Sequence, residues 1–271
     1  QDLAHYGRDR QDGVRLPELL EALVAETGIP WIRMLYLYST GITPRLLDVV
    51  ARESRILPYL DMPMQHASDA VLARMRRPER KRTIRDRVAR FRDAVPGVAI
   101  RTTCIVGFPG ETESDFDELL EILEEIRFDR VGAFAYSPQE GTHAAGMADD
   151  VPDVIKRERL ERLTEAQRFI TAERYESRVG TATSMIVDRV DDEGRTVGRL
   201  PWQADDVDGV AYLDGSAQPG EMLRVTVDEV VDDYDFRATL VERVESSQRP
   251  VSQPRPRRTL PLAATTGAYG R

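Results

Sequence analysis

The sequence predicts an α/β protein: part of a (β/α) barrel with parallel strands, followed by a small antiparallel β-barrel. From residue 16 to about residue 136, short apolar runs alternate with amphipathic segments, which is typical of repeated β-α units around a parallel sheet. Beyond residue 180 the apolar period changes toward two, and glycine and proline separate short strands. One long charged segment, which we expect to be helical, connects the two patterns.

The first region is expected to contain five helices and four strands. The spacing of apolar residues predicts helices over 16–27, 44–54, 69–75, 84–94 and 114–126. Apolar and β-branched runs predict strands over 31–38, 59–64, 98–106 and 130–136. Each strand is followed by a loop of polar or special residues, as at the ligand-binding end of a barrel.

The second region is expected to begin after a connecting helix over 151–178, whose apolar stripe runs through Leu160, Leu163, Ala166, Ile170 and Ala172. The strands expected in the small barrel are 184–190, 196–200, 210–213, 221–231 and 237–244. We therefore divide the chain into a barrel part over 1–150, a connector over 151–179 and a β-barrel over 180–246. A basic, proline-rich tail over 247–271 is expected to be disordered.

Charge is unevenly distributed along the chain. The net charge is −9, and residues 180 to 245 carry sixteen acidic side chains against six arginines, so the remainder is near neutral. RNA binding depends on lysine and arginine, so such a domain would repel RNA and attract a basic protein. The alternative is that the acids only confer solubility.

Other features of composition set further limits. Cys104 is the only cysteine, so a disulfide within the chain is excluded and a buried thiol is expected. No apolar run approaches about 20 residues and no signal-peptide pattern opens the sequence, which predicts a soluble cytoplasmic protein. A strong sequence pattern begins almost at Gln1, so we expect this chain to be a piece of a longer protein.

The most informative stretch is residues 101–111, a buried strand that opens into a glycine-rich loop directly before a helix. Gly107, Pro109 and Gly110 supply a tight turn at the carboxyl end of the strand, and Glu111 follows it. One interpretation is a small-molecule site formed by backbone amides and a carboxylate. The other is an ordinary turn in which Glu111 favours the amino end of the next helix.

A second candidate site is the loop 62–68. His66 is a candidate base or ligand, or a hydrogen-bonded wall residue, while Gln65 shapes the loop and Ser68 caps the next helix. With one cysteine, His5 and His143 form no zinc pattern. A run of basic side chains that could meet phosphate, or form a solvated helix end, comprises Arg74, Arg76, Arg77, Arg80, Lys81 and Arg82.

Several of these segments together resemble the methylthiotransferase family of radical S-adenosylmethionine (SAM) enzymes. The matching pieces, in family order, are Gln1-Asp2 with Tyr6-Gly7, Trp31-Ile32-Arg33 with Leu35-Tyr36, residues 62–68, Met75-Arg76-Arg77-Pro78 and residues 101–111. The C-terminal segment resembles a TRAM domain, the small β-barrel that ends these enzymes. The first region is then the later part of a radical SAM barrel.

Within that family, Gln65-His66-Ala67 and Arg76-Arg77-Pro78 resemble the branch that modifies an aspartate of small-subunit ribosomal protein S-twelve. The transfer-RNA branch usually has a Gln-Ser-Gly type sequence at the first of these places. The resemblance therefore implies transfer of a methylthio group to the β-carbon of that aspartate. The alternatives are a tRNA adenosine methylthiotransferase and a cluster-free protein-binding module.

The resemblance also implies cofactors. In the family, a 4Fe-4S cluster held by Cys-x3-Cys-x2-Cys donates an electron to SAM, and the resulting deoxyadenosyl radical abstracts hydrogen from carbon. A second 4Fe-4S cluster supplies the sulfur that is methylated. Such clusters need thiolate ligands, and this chain has only Cys104. We expect two clusters in the full-length protein, no metal site in this chain and no activity from this piece alone.

The resemblance assigns no catalytic residue, but it implies a set of binding residues. The residues expected to line the adenine and ribose of SAM are Ile105, Gly107, Pro109, Gly110, Glu111, Ala135 and Tyr136. Gln65, His66 and Arg101 are expected to face the barrel mouth. In the acidic domain we expect Asp205, Asp206 and Asp208 to bind the ribosomal protein.

Overall fold

The computed structural model describes residues 2–148 and 151–244. Gln1 and the tail expected to be disordered lie outside these ranges. Four parallel strands form one sheet in the order β1-β2-β3-β4. The strands are β1 Ile32–Met34, β2 Ile56–Asp61, β3 Ala99–Val106 and β4 Arg130–Ala135.

Helices cover one face of this sheet. They are α1 Leu16–Glu26, α2 Pro44–Arg52, α3 Asp69–Arg74, α4 Lys81–Ala94 and α5 Glu113–Ile126. Three of them begin at a hydroxyl cap, because the side chains of Thr43, Ser68 and Thr112 each accept a hydrogen bond from an amide of the first turn. Short 3₁₀ turns occur at Leu3–His5, Ser39–Gly41 and Ala144–Gly146.

β1 is shorter than the 31–38 run expected from sequence. The Tyr36 backbone has φ +60°, and its amide donates to Asp61 Oδ2 at 3.0 Å instead of extending the strand ladder. β2 lies three residues earlier than expected, and the chain rejoins the sheet only at Gln65, which forms an isolated parallel bridge with Cys104. Local hydrogen bonding at the strand ends therefore overrides the apolar pattern.

The start of α4 also differs from expectation, at Lys81 rather than at residue 84. The Arg80 amide donates to Thr83 Oγ1 at 2.9 Å, and this local bond organises a first turn made of charged residues. A reading based on apolar spacing alone misses such a turn.

The second region is a connecting helix and a closed five-stranded barrel. The helix is α6 Asp153–Glu176, and the strands are β5 Ala182–Val190, β6 Thr196–Arg199, β7 Ala211–Asp214, β8 Met222–Val231 and β9 Asp235–Arg243. The strand order is β5-β6-β7-β9-β8. The barrel is antiparallel as expected in four of its five strand pairings, and the fifth, between β7 and β9, is parallel.

The two faces of the sheet belong to different cores. Ile100, Cys104 and Val106 pack with the helices. Leu57 and Tyr59, which alternate with the helix-facing positions of β2, join the core of the C-terminal barrel instead. The sheet thus lies between its helices and that barrel. Among the described residues, no helix combines the length and apolarity that crossing a membrane requires.

A buried polar network fixes the C-terminal barrel to the sheet. Asp208 is fully buried and accepts hydrogen bonds from the Tyr59 hydroxyl and from the Ala204 amide at 3.0 Å. Its Oδ1 lies 3.4 Å from Arg130 Nε and 3.6 Å from Arg101 Nε. Burial, and then the Asp208 charge, raise the pKa of Tyr59, so its hydroxyl stays protonated and donates.

Arg33 adds a second contact across the same junction. Its guanidinium donates to the backbone oxygens of Pro201 at 2.9 Å and Gln203 at 2.6 Å, and stacks over the Tyr59 ring at 4.4 Å. Burial lowers the pKa of Arg33 to about 10, which still leaves it charged at neutral pH. The loop between β6 and β7 is therefore held by arginines of the sheet.

This network yields a stability prediction. Replacing Asp208→Asn should lower the free energy of unfolding by about 3 kcal/mol, because Arg101 and Arg130 lose their buried counter-charge. The matched control Asp206→Asn, at an exposed neighbouring position, should change it by less than about 0.5 kcal/mol. Urea denaturation measures both values, and equal effects of the two substitutions would contradict the proposed role of the network.

Candidate functional site

The glycine turn, residues 107–111, links the carboxyl end of β3 to α5. Gly107 and Gly110 have φ values of +71° and +75°, a region that side chains rarely adopt. The Glu111 amide donates to the Phe108 backbone oxygen at 2.8 Å, and the Phe108 amide donates to Glu111 Oε2 at 3.1 Å. These reciprocal bonds close the turn.

Glu111 does not face an open ligand site as expected. Its side chain is fully buried, and its Oε1 accepts a hydrogen bond from Arg159 Nη1 of α6 at 2.9 Å. With Oε2 bonded to the Phe108 amide, both carboxylate oxygens are used within the protein. The carboxylate therefore fixes the turn to α6 instead of offering a charge to a ligand.

His66 is also enclosed and does not open to the barrel mouth. Its ring is fully buried, and its Nδ1 accepts a hydrogen bond from the Ser68 amide at 3.0 Å. Nε2 lies 3.5 Å from Glu111 Oε2. This places His66 as a wall residue behind the glycine turn, the second of the two interpretations of its sequence context. Ser68 caps α3 as predicted.

Gln65 lies on the sheet, next to the end of β3. Its amide donates to the Thr103 backbone oxygen at 2.7 Å, and its own oxygen accepts from the Ile105 amide at 2.8 Å. The Gln65 backbone has φ +72°, which is uncommon for a residue other than glycine. Its Oε1 is buried without a hydrogen-bond partner among the described residues.

Ala135 and Tyr136 end the neighbouring strand as predicted. The Tyr136 amide donates to the Val106 oxygen at 2.8 Å, and its ring packs edge-on against Phe108 with centroids 5.1 Å apart. The Tyr136 hydroxyl is buried and has no hydrogen-bond partner in the part of the chain that the structure describes. The structure thus brings Tyr136, Gln65 and the glycine turn to one end of the sheet.

Arg101 lies elsewhere, which corrects its expected place at the mouth. It is the third residue of β3, near the amino end, and its Nη1 donates to Asp61 Oδ1 at 2.9 Å. With Asp208 as a second partner, Arg101 belongs to the junction with the C-terminal barrel. Asp208 is likewise removed from the expected protein-binding set because it is fully buried, whereas Asp205 and Asp206 are exposed.

Sequence reasoning missed two contributors from α6, Lys156 and Arg159. The buried side of this helix contains Lys156, Arg159, Leu163, Gln167, Ile170, Thr171 and Tyr175. The expected apolar stripe included Ala172, which is exposed. The spacing of Lys156, Arg159 and Leu163 continues one helical face, and this continuation was the available signal.

The basic run after α3 is mostly engaged by the protein itself. Arg74 Nη2 donates to the Gly110 oxygen at 2.8 Å, Arg76 bonds His143, and Lys81 Nζ donates to Glu118 at 3.2 Å. Arg82 is largely exposed, with Asp86 at 3.9 Å. The run therefore does not form a single phosphate site, and Arg74 supports the glycine turn.

The residues at this end of the sheet fit a small polar ligand. Gln65 Oε1 and the Tyr136 hydroxyl are buried polar atoms without partners among the residues described, and such atoms are costly unless something pairs with them. Iron-sulfur clusters do not fit this chain. Its one cysteine is buried in the helix-facing core, and the described residues contain no group of three potential metal ligands.

Comparison with known families agrees with the geometry. Residues 3–123 match the model of the Radical SAM superfamily, and residues 179–241 match that of the TRAM domain. A partial radical SAM barrel followed by a TRAM β-barrel is therefore the class that the fold defines, and the predicted fold class is confirmed.

Three relatives are each called "Ribosomal protein uS12 methylthiotransferase RimO". The one from Anaeromyxobacter sp. (strain Fw109-5) is 43% identical over 258 residues, which are 94% of this chain and 55% of that relative. Those from Moorella thermoacetica and Aquifex aeolicus (strain VF5) are 45% and 41% identical, covering 87% and 90% of this chain and 54% and 57% of theirs. The chain is thus similar to RimO proteins over most of its length, and its two parts match the Radical SAM superfamily and the TRAM domain.

The chain spans about half the length of the curated relatives it matches. Among solved structures, coproporphyrinogen III oxidase (HemN) from Escherichia coli, a radical SAM enzyme, gives a TM-score of 0.43 at 14% identity. That alignment covers 64% of this chain and 48% of the other. So distant a likeness adds nothing to the assignment.

The environment of Cys104 predicts low reactivity. Burial raises the pKa of the Cys104 thiol to about 12, so almost no thiolate, the reactive form, is present at pH 8. Its reaction with a disulfide reagent should be at least about a thousandfold slower in the folded protein than in guanidinium. The control Ser137→Cys, at an exposed loop position, should add one fast-reacting thiol. Rapid labelling of the unsubstituted folded chain would contradict this prediction.

Proposed function

We propose that this chain binds S-adenosylmethionine at the carboxyl end of its four-stranded sheet. The observation that carries the proposal is that two of the buried atoms without a partner among the described residues, Gln65 Oε1 and the Tyr136 hydroxyl, lie beside the glycine turn. A ligand with hydroxyls and ring nitrogens would give both atoms a partner. Ile105 and Ala135, on adjacent strands, would flank its ring system, and Gly107, Pro109 and Gly110 would present backbone to it.

Together with a reduced iron-sulfur cluster, SAM supplies a carbon-centred radical that abstracts hydrogen. This chain's own residues bind and orient the nucleoside part. The buried carboxylate of Glu111 and its bond to Arg159 hold the turn closed, and His66 fills the space behind it. No step is assigned to a cluster, because this chain lacks the thiolates that a cluster needs. We therefore expect no methylthio transfer from the 271-residue chain by itself.

The protein that contains this chain is proposed to transfer a methylthio group to an aspartate β-carbon of ribosomal protein uS12, the S-twelve protein of the small subunit. The names of its relatives support this substrate. The charge of the C-terminal barrel supports it independently, because ribosomal proteins are basic and RNA is not attracted to an acidic surface. The same charge disfavours a tRNA substrate.

The exposed acids of the C-terminal barrel define the proposed docking surface. Asp205 lies 3.7 Å from Arg199, which also binds Asp188, so its charge is partly neutralised. Asp206 has no ion pair among the described residues. Other exposed barrel acids without an ion pair in the described ranges are Asp192, Asp214, Asp228, Asp232 and Glu242. Together with Asp206, these residues make up the acidic surface available to a basic partner.

The SAM site is tested by the variant Tyr136→Phe, which removes the unpartnered hydroxyl and keeps the ring. Its dissociation constant for SAM, measured by calorimetry, should rise about fivefold, since one hydrogen bond contributes about 1 kcal/mol. Tyr212→Phe, on the C-terminal barrel, should bind SAM like the unsubstituted chain. If Tyr136→Phe and Tyr212→Phe bind SAM with equal affinity, the Tyr136 hydroxyl does not contact the ligand.

The acidic surface is tested by the triple variant Asp192→Asn, Asp206→Asn and Asp214→Asn. Its affinity for uS12 should fall at least about tenfold at low ionic strength, and the difference should shrink as salt is added, because exposed charges are screened. Fluorescence anisotropy of labelled uS12 measures the affinity and its dependence on salt.

The control for that experiment removes three charges outside the barrel, by Glu26→Gln, Glu124→Gln and Glu165→Gln, all at exposed positions. It should bind uS12 like the unsubstituted chain. An equal loss in both triple variants would show a net-charge effect and reject the docking surface. Protein expressed anaerobically from its complete gene should add the mass of one methylthio group to uS12, and modification of tRNA instead would overturn the substrate assignment.

A further inference from the structure

Lys156 lies in the first turn of α6 and is only 4% exposed, although lysine is among the residues least often buried. Its stem lies directly against the glycine turn. A Cβ added to Gly107 would lie 2.4 Å from Lys156 Cγ, 3.1 Å from Cδ and 3.2 Å from Cβ. The absence of a side chain at Gly107 therefore makes room for the Lys156 stem.

The other end of the same side chain reaches the neighbouring strand. Lys156 Nζ lies 5.5 Å from the centroid of the Tyr136 ring and 3.6 Å from Asp153 Oδ1. Tyr136 in turn packs on Phe108 of the glycine turn. Lys156 thus contacts both parts of the proposed nucleoside site, the turn after β3 and the tyrosine that follows β4.

We propose that Lys156 is a positioning residue of the SAM site, whose stem holds the Gly107 turn against Tyr136 in the arrangement that the ligand meets. The inference rests on the proposed SAM site. A lysine stem buried along apolar and backbone surface excludes water while its ammonium remains near polar groups. A turn ordered before binding loses less conformational entropy when the ligand arrives, so removing the stem should weaken binding.

The first test compares three stems by calorimetric titration of the chain with SAM. Lys156→Ala removes Cγ and Cδ and should raise the dissociation constant about tenfold, equivalent to about 1.4 kcal/mol. Lys156→Met keeps an unbranched stem without the charge. Its dissociation constant for SAM should stay within about threefold of that of the unsubstituted chain. An equal loss in the Ala and Met variants would overturn positioning by the stem.

Thermal unfolding of the same samples separates this role from a purely structural one. A structural role would lower the unfolding temperature and leave the SAM affinity of the folded protein unchanged, and that result would also overturn the inference. If the Ala variant does not fold, Lys156→Leu replaces it. Leucine is a good helix former, but its branch at Cγ would crowd Gly107 and should weaken SAM binding.

A double-mutant cycle tests the contact itself. Gly107→Ala should weaken SAM binding more than tenfold in the unsubstituted chain, because the new methyl meets Lys156 Cγ at 2.4 Å. In the Lys156→Ala background the same substitution should weaken SAM binding by a factor at least about threefold smaller, since only Lys156 Cβ remains nearby. Strictly additive effects would contradict the contact.

Gly97→Ala is the matched control for backbone strain. Gly97 has φ +73°, close to the value at Gly107, and a Cβ there would meet nothing within 4 Å. It should lower stability through its backbone and leave SAM affinity unchanged. Failure of the unsubstituted chain to bind SAM would reject the proposed site itself, whereas binding that is unchanged by Lys156→Ala would reject only the role of Lys156.

Discussion

The architecture depends on the polar side of α6, which contacts both halves of the molecule. At its amino end, Arg159 bonds the buried carboxylate of Glu111. Near its carboxyl end, Arg174 binds Asp129 at 2.9 Å, and Tyr175 packs on Phe236 inside the C-terminal barrel. A helix of 24 residues spans about 36 Å, so one rigid element joins the glycine turn to the barrel core. Buried charges of this kind are costly unless paired, and here the buried carboxylates of Glu111 and Asp129 each pair with an arginine of α6.

The second attachment of the barrel explains the orientation of its charge. Asp208 faces inward to the arginines of the sheet, and Arg33 holds the adjacent backbone oxygens. One acid of the Asp205-Asp206-Val207-Asp208 loop is thereby used internally, while Asp206 remains exposed. Because the barrel is fixed at two places, its acidic surface has a defined position relative to the sheet. This geometry is compatible with the proposed substrate, a basic protein that would present one side chain to a ligand at the sheet.

The fold was largely predictable, because apolar periods of 3.6 and 2 report which faces are buried. The errors fall where a local bond competes with that pattern, as at Tyr36, whose amide bonds Asp61 instead of extending β1. The site was less predictable. Glu111 and Asp208 have the sequence context of exposed loop acids, and their partners lie 48 and 149 positions away along the chain. Lys156 escaped notice because polar residues on a helix are usually assigned to its solvated side.

The packing around the glycine turn limits the side from which a ligand could approach it. The side of Gly107 that lacks a Cβ is covered by Lys156, and that of Gly110 by Arg74, whose guanidinium lies 3.3 Å from the built Cβ. The glycines are therefore required first by the protein's own packing, and the proposed ligand would have to meet the turn from the opposite side. Since the Glu111 carboxylate is fully engaged, the turn offers no counter-charge to a cation. At the proposed SAM site, recognition would rest on backbone groups, Gln65 Oε1, the Tyr136 hydroxyl and apolar surface, which suits the uncharged nucleoside part of SAM better than its sulfonium.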